Sequence, residues 1–140
     1  MRIAVDDLVP MERLFPLLDE FYNSSCGTRL KLLTEVYGGA WDALVSGRAD
    51  LVIGAPSDGP AGGGYSTHPL GLVQWAFMLA PTHPLAGAPE PLPPEVIVQH
   101  RSIAAADSSR NLPPRTSGLL SGQDVLTVPD MRSKIRFQCA

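Results

Sequence analysis

Residues 29–55, RLKLLTEVYGGAWDALVSGRADLVIGA, decide the fold, because they hold a strand, a turn, a helix and a second strand in immediate succession. Residues 29–35 alternate leucines with polar side chains, which is typical of a strand. Gly38 and Gly39 then free the backbone from steric limits, and the apolar residues that follow recur at helical spacing: Ala40, Trp41, Leu44 and Val45. Gly47 lies where a left-handed helix stop is expected, and residues 51–53 are continuously apolar. Apolar strands joined through a helix predict parallel pairing in a buried sheet.

The residues before this stretch predict one more strand and one more helix. Residues 2–5 form a short apolar strand, and Pro10 is pre-set for a first helical position. An amphipathic helix over residues 10–22 is predicted by the spacing of Met11, Leu14, Phe15, Leu18, Phe21 and Tyr22. Residues 1–54 therefore spell βαβαβ, and right-handed crossovers place the first strand between the second and the third.

The second half of the chain has weaker signals. Residues 55–66 are a Pro/Gly-rich loop without the glycine spacing of a phosphate cradle, and residues 71–80 form an apolar strand. A Pro-rich stretch, a short helix over residues 94–99 and two strands at 102–106 and 124–128 follow. Residues 107–110 are a polar loop. Pro129 and Asp130 open a last helix with one apolar face: Met131, Ile135 and Cys139.

Composition bounds the possible partners. The chain has 140 residues, 44% of them hydrophobic, and a formal net charge of −3 with no basic cluster. A chain of this charge is a poor binder of nucleic acid by itself. Cys26 and Cys139 lie far apart, which favours reduced or structural thiols over a disulfide or a metal site. The start of the chain has no signal core and no run reaches membrane-spanning length, so we expect a cytoplasmic protein that does not contact a membrane.

No catalytic or metal-binding motif is present in the sequence. The histidines His68, His83 and His100 are isolated, and a turn is expected to fix His83. Asp6 and Asp7 follow a strand and precede a helix start, where capping is the favoured interpretation and direct ligand contact the alternative. We therefore predict no catalytic residue, no metal and no cofactor.

One family shares the order of these residues. A strand ending in an acidic residue, a glycine pair, the run WDAL and the strand GRADLVIG resemble the effector-binding domain of LysR-type transcriptional regulators. The run HPLA at residues 83–86, after an apolar strand, is also frequent in that family. The resemblance implies an α/β fold of the periplasmic-binding-protein-like type 2 class, with two Rossmann-like lobes and mostly parallel sheets.

The resemblance also implies a division and a role for the chain. Residues 1–72 would be the first lobe and residues 73–140 the second, incomplete lobe, without its return strand. The winged helix-turn-helix and the end of the domain would lie outside the chain. A small-molecule effector would bind between the lobes and modulate transcription by a homo-oligomeric full-length protein that contacts DNA through the absent domain.

Parallel sheets bind ligands beyond the carboxyl ends of their strands, and this rule selects the candidate residues. We expect the effector to contact Asp6, Asp7, Leu8, Tyr37, Gly38, Trp41, Asp107, Ser108, Arg110 and Met131. For Trp41 core packing is the favoured interpretation, and a role as a wall of the ligand site is the alternative. An anionic end of the effector is expected near residues 108–110, and a neutral or donor-bearing end near Asp6 and Asp7.

Two other classes of protein remain as alternatives. A solute-binding protein of a transport system would have a similar fold but needs an export signal. An enzyme that uses Asp6, Asp7 and Arg110 in a cleft is the third candidate, and it lacks a nucleophile–base pair.

Overall fold

The computed structural model describes residues 1–24 and 27–139, so the prediction for Cys26 lies outside the described residues. The chain divides into two compact units. The first unit consists of Met1–Leu70 together with Asp107–Arg115. The second unit consists of Gly71–Ala106 together with the segment that starts at Thr116.

The first unit is built on a three-stranded parallel sheet. Its elements are β1 (Arg2–Asp6), a 3-10 turn (Met11–Leu14), α1 (Phe15–Asn23), β2 (Lys31–Glu35), α2 (Gly39–Val45) and β3 (Leu51–Ile53). The strand order is β2-β1-β3, and Ala4 of β1 pairs with Leu33 of β2 and with Val52 of β3. This order confirms the predicted βαβαβ arrangement with the first strand in the centre.

The core of this unit lies on both faces of the sheet. Ile3 and Val5 pack with Leu14 on one face, while Ala4 packs with Ala43 and Ala49 on the other. Successive side chains of a strand point to opposite faces, so β1 supplies both clusters. Gly47 ends α2 with φ +69°, as the sequence predicts.

The single helix predicted over residues 10–22 is wrong in its first part. The structure has a 3-10 turn at Met11–Leu14, and the α-helix begins only at Phe15. The physical reason is Pro16, which lacks a backbone N–H and is tolerated only in the first turn of an α-helix. The apolar spacing is unchanged by this break, so periodicity alone does not reveal it.

The predicted capping role of Asp6 and Asp7 is also wrong. Pro10 precedes the 3-10 turn, and no side chain caps it among the described residues. Asp6 instead folds back on its own backbone, where its Oδ1 accepts a hydrogen bond of 3.0 Å from Leu8 N. Asp and Asn side chains commonly close turns in this way, two residues on.

The second unit contains a short parallel pair of strands and two helices. Its elements are α3 (Pro94–Ile97), β4 (Ser102–Ala105), β5 (Val125–Val128) and α4 (Met131–Gln138), and β4 pairs with β5. Asp130 caps α4, since its Oδ1 accepts a hydrogen bond of 2.6 Å from Ser133 N. These elements confirm the predicted strands and helices to within a few residues.

The strand predicted at residues 71–80 is absent from the described sheets, which are β2-β1-β3 and β4-β5. A strand needs hydrogen bonds from a neighbouring strand, and apolar sequence alone does not supply them. Leu72 is 99% exposed in this segment. Within the described residues no helix is long and apolar enough to cross a membrane.

Candidate functional site

The carboxyl ends of β1 and β2 bring together most of the predicted effector-binding residues. Asp6, Asp7 and Leu8 follow β1, and Tyr37, Gly38 and Trp41 follow β2. The segment Asp107–Arg115, here called the strap, belongs to the same unit and carries Asp107, Ser108 and Arg110. Met131 belongs to the second unit, where it is buried at the first position of α4.

This edge of the sheet has one strained backbone position, at Tyr37, and a buried carboxyl group, that of Asp6. Tyr37 has φ +53°, a left-handed conformation that side chains rarely adopt and that is often found at functional sites. Burial raises the pKa of its phenol, and the charges of Asp7, Asp6 and Asp107 raise it further, so the phenol remains a hydrogen-bond donor. Burial also raises the pKa of Asp6 to about 6, against the hydrogen bond from Leu8.

The glycine pair serves close packing with the strap. A Cβ on Gly38 would lie 2.9 Å from Asp107 Oδ2, and a Cβ on Gly39 would overlap Ser108 Oγ. Asp107 Oδ2 accepts hydrogen bonds from Gly38 N at 3.1 Å and from Arg115 N at 2.7 Å. The absence of side chains at both glycines thus lets the strap reach the backbone between β2 and α2.

Ser108 connects the strap to the end of β2. Its Oγ donates a hydrogen bond of 2.6 Å to Glu35 Oε2 and accepts one of 2.8 Å from Val36 N. The backbone N–H of Ser108 donates to Val36 O at 3.2 Å. The hydroxyl that the sequence assigns to the effector is therefore engaged within the unit.

A buried group of charges lies behind the strap. Glu35 is 5% exposed and Asp42 is 1% exposed, and Arg48 pairs with both carboxylates. Burial by itself raises the pKa of Asp42, but the hydrogen bonds from Arg48 and from the backbone of residues 110–112 outweigh it. The pKa of Asp42 consequently falls to about 2, and the side chain is a carboxylate at neutral pH.

Trp41 is buried beneath the Pro/Gly-rich loop. Its indole Nε1 donates a hydrogen bond of 2.8 Å to Pro56 O, and Gly59 packs against the ring. Tyr65 contributes a second ring, with a centroid 5.7 Å from that of Trp41. Trp41 is therefore packed in the core of the first unit.

The remaining polar candidates differ in their surroundings. Arg110 is exposed on the strap, and His83 Nδ1 accepts a hydrogen bond from Leu85 N, as a turn residue is expected to do. Among the described residues no cluster of His, Cys, Asp and Glu side chains is arranged to hold a metal ion. Cys139 is exposed.

Sequence reasoning missed Glu35, Asp42 and Arg48, which together fix the strap. A signal for two of them was available. Asp42 stands between Trp41 and Ala43 in an otherwise apolar helix, and Glu35 ends a strand rich in leucine. Charged residues are rarely buried without a partner, so a charge inside an apolar run indicates a specific polar contact. The identity of that contact is decided by a segment that lies far along the chain.

Comparisons with known proteins give a consistent result. A family model described as the LysR substrate binding domain matches residues 1–132. The Uncharacterized HTH-type transcriptional regulator YeeY of Escherichia coli (strain K12) is 39% identical over 136 residues, which are 97% of this chain and 44% of that protein. HTH-type transcriptional regulator PunR of the same strain is 37% identical over 133 residues, 95% of this chain and 43% of that protein. The chain thus spans less than half the length of these curated relatives.

Proposed function

Because the chain belongs to the LysR substrate-binding domain family, we propose that it is the ligand-sensing regulatory domain of a LysR-type transcriptional regulator. The family match over residues 1–132 carries this proposal. The same match confirms the resemblance found in the sequence and its periplasmic-binding-protein-like fold class. The names of the relatives describe regulators of transcription, and we propose that this chain senses and does not catalyse.

The proposal places the effector at the carboxyl edge of the first unit. Support comes from the position of the predicted residues, since Asp6, Tyr37, Gly38 and the strap lie at the end of the same parallel sheet. Ligands of such sheets bind beyond the carboxyl ends of the strands. Ser108 enters the proposal as a residue that holds the strap, because its hydroxyl already bonds to Glu35.

The chemistry of this edge selects the effector class. Asp6 and Asp7 are acidic and close to the phenol of Tyr37, so they favour a neutral or hydrogen-bond-donating group. Arg110 is exposed and suits a carboxylate or a phosphate. The effector is therefore a small metabolite with a donor group at one end and an anionic group at the other.

Regulation follows from differential affinity. An effector that binds one conformation of the domain more tightly shifts the population toward it. The relatives are about twice as long as this chain, and we propose that the part outside the chain contacts DNA and receives this shift. A change in the arrangement of the two subunits of a full-length dimer would transmit this shift.

Ligand titration tests the proposal. Metabolites that raise the melting temperature of the purified chain are titrated by calorimetry into wild type, Arg110→Ala and Asp7→Ala. The matched controls are Arg136→Ala and Asp19→Ala, two exposed residues of α4 and α1. Loss of Arg110 is expected to weaken an anionic ligand by about 10-fold to 100-fold, since a hydrogen bond to a charged group contributes ~1.5–3 kcal/mol. Unchanged affinity in both site variants would rule out this edge as the site.

A further inference from the structure

We propose that Asp42 is the positioning residue of the strap, and that it thereby sets where Arg110 presents its guanidinium. The first part stands on contacts within one unit of the fold. The consequence for a ligand rests on the proposed function, because only that function gives Arg110 a partner.

Asp42 holds the middle of the strap by its backbone. Its Oδ1 accepts hydrogen bonds from Asn111 N at 2.7 Å and from Leu112 N at 3.0 Å. Its Oδ2 accepts a hydrogen bond of 3.0 Å from the guanidinium of Arg48. One side chain of α2 therefore bonds two consecutive peptide units of a segment that lies about seventy positions later in the chain.

The balance of buried charge explains why the strap docks there. Glu35 and Asp42 are both buried, and they share one guanidinium, that of Arg48. One negative charge is left over, and buried charge is costly unless it is hydrogen-bonded. The strap supplies the donors: the backbone N–H groups of Asn111 and Leu112 for Asp42, and the hydroxyl of Ser108 for Glu35.

The place at which Asp42 contacts the strap explains its effect on Arg110. One end of the strap is fixed by Asp107 at Gly38. The other end is fixed by Arg115, whose guanidinium bonds to Asp58 Oδ1 at 2.6 Å. Arg110 lies between these ends and directly precedes Asn111. Without the carboxylate of Asp42 the strap keeps both ends but loses the contact that fixes the backbone next to Arg110.

Limited trypsin digestion of the purified chain reports this contact without any ligand. Trypsin cleaves the Arg110–Asn111 bond, which is protected while Asn111 N bonds to Asp42. In Asp42→Asn the side chain keeps its shape and one acceptor oxygen but loses its charge. The hydrogen bonds from Asn111 N and Leu112 N are therefore weakened, and the amide Nδ2 cannot accept the hydrogen bond from Arg48. Cleavage at Arg110 is expected to accelerate about tenfold or more, the change in a local opening equilibrium that ~1.4 kcal/mol produces. Asp124→Asn is the matched control, since it removes the same charge from an exposed ion pair with Arg101 in the second unit.

The Lys31–Leu32 bond provides an internal standard, because it lies within β2, where Leu32 pairs with Ile3 of β1. Selective acceleration at Arg110 supports the positioning role. Equal acceleration at Lys31 and Arg110 would mean that Asp42 supports the whole unit, and unchanged cleavage at both would mean that it does not fix the strap; either result overturns the proposal.

Nuclear magnetic resonance gives a second readout that a general structural role would not produce. Hydrogen bonds to a carboxylate shift amide protons downfield, so Asp42→Asn is expected to move the Asn111 and Leu112 signals upfield. The Ser109 amide, which donates to Asp107 Oδ1 at 2.7 Å, is expected to stay in place. In Asp107→Asn the Ser109 signal should move upfield, and the Asn111 and Leu112 signals should stay in place. If the signals of Asn111 and Leu112 do not move in Asp42→Asn, the positioning role is wrong, whatever the effector titrations show.

Discussion

At the scale of single residues, the carboxyl edge of the first unit contains two kinds of buried carboxylate. Asp42 has a lowered pKa of about 2 because donors from Arg48 and the strap outweigh its burial. Asp6 has a raised pKa of about 6 because burial outweighs the backbone hydrogen bonds from Leu8 and Tyr37. The same side-chain type therefore contributes oppositely to stability at neutral pH.

Asp6→Asn is expected to stabilise the chain at neutral pH and not at acidic pH. The folded-state pKa of Asp6 lies above the ordinary value of 3.8, so the folded state binds the proton more tightly. The favourable contribution is present below about pH 4 and is lost as the pH rises through 6. Asn keeps the acceptor for Leu8 N and cannot ionise, so the free energy of unfolding should rise by about 1–2 kcal/mol at pH 7.5. Urea denaturation of the wild type and Asp6→Asn at pH 4 and pH 7.5 measures the difference in free energy of unfolding. An equal difference at the two pH values would contradict the prediction.

At the scale of elements, the apolar segment at residues 71–80 is the one whose sequence and structure disagree most. Leu72, Val73 and Phe77 are exposed there, and no described strand pairs with the segment. An exposed apolar segment is a common site of association between protein chains. The element therefore invites association between copies.

We expect the purified chain to self-associate through this segment. Its apparent mass in light scattering after gel filtration should rise with protein concentration. The double variant Leu72→Lys, Phe77→Lys should reduce the association, because lysines protect exposed strand edges. The double variant Ser66→Lys, Thr67→Lys, which adds the same two charges at exposed positions outside the segment, serves as the control. A monomer at all concentrations, with wild type and variants alike, would show that the segment is not adhesive.

At the scale of the whole molecule, the net charge of the chain argues against binding of DNA by this chain alone. Lys and Arg number 11 against 14 Asp and Glu, and the formal net charge is −3. Affinity for DNA comes largely from basic side chains that neutralise phosphates. The most buried charges of the first unit are carboxylates, so they add nothing to the affinity for a phosphate backbone.

The chain alone should show no sequence-specific binding of DNA. Fluorescence anisotropy with labelled promoter fragments is expected to give only weak signals that disappear as salt is raised from about 50 to 200 mM. A scrambled fragment of equal length is the control. Salt-resistant binding that distinguishes the two fragments would contradict the division of labour proposed above.

The sequence by itself determined the first unit and the family. Alternation, the glycine stop at Gly47 and the continuous apolar run at residues 51–53 are local patterns, and each reports which face of an element is buried. Right-handed connections in a doubly wound sheet then predict the first strand in the centre, which is the observed order β2-β1-β3. The positions of Asp6, Tyr37 and Gly38 at the carboxyl edge follow from the same topology.

The tertiary structure decided what those residues contact. The glycine pair looks like a flexible turn in the sequence, and in the structure the strap packs against it. Asp42 stands out in the sequence as a charge in an apolar helix, but only the structure shows that it bonds to Asn111 across 69 positions of sequence. The periodicity of apolar residues reports only which face of a local element is buried. A buried charge needs hydrogen-bond donors, and these can come from residues that are distant in sequence. The contacts of the strap with Glu35 and Asp42 therefore could be seen only once the chain was folded.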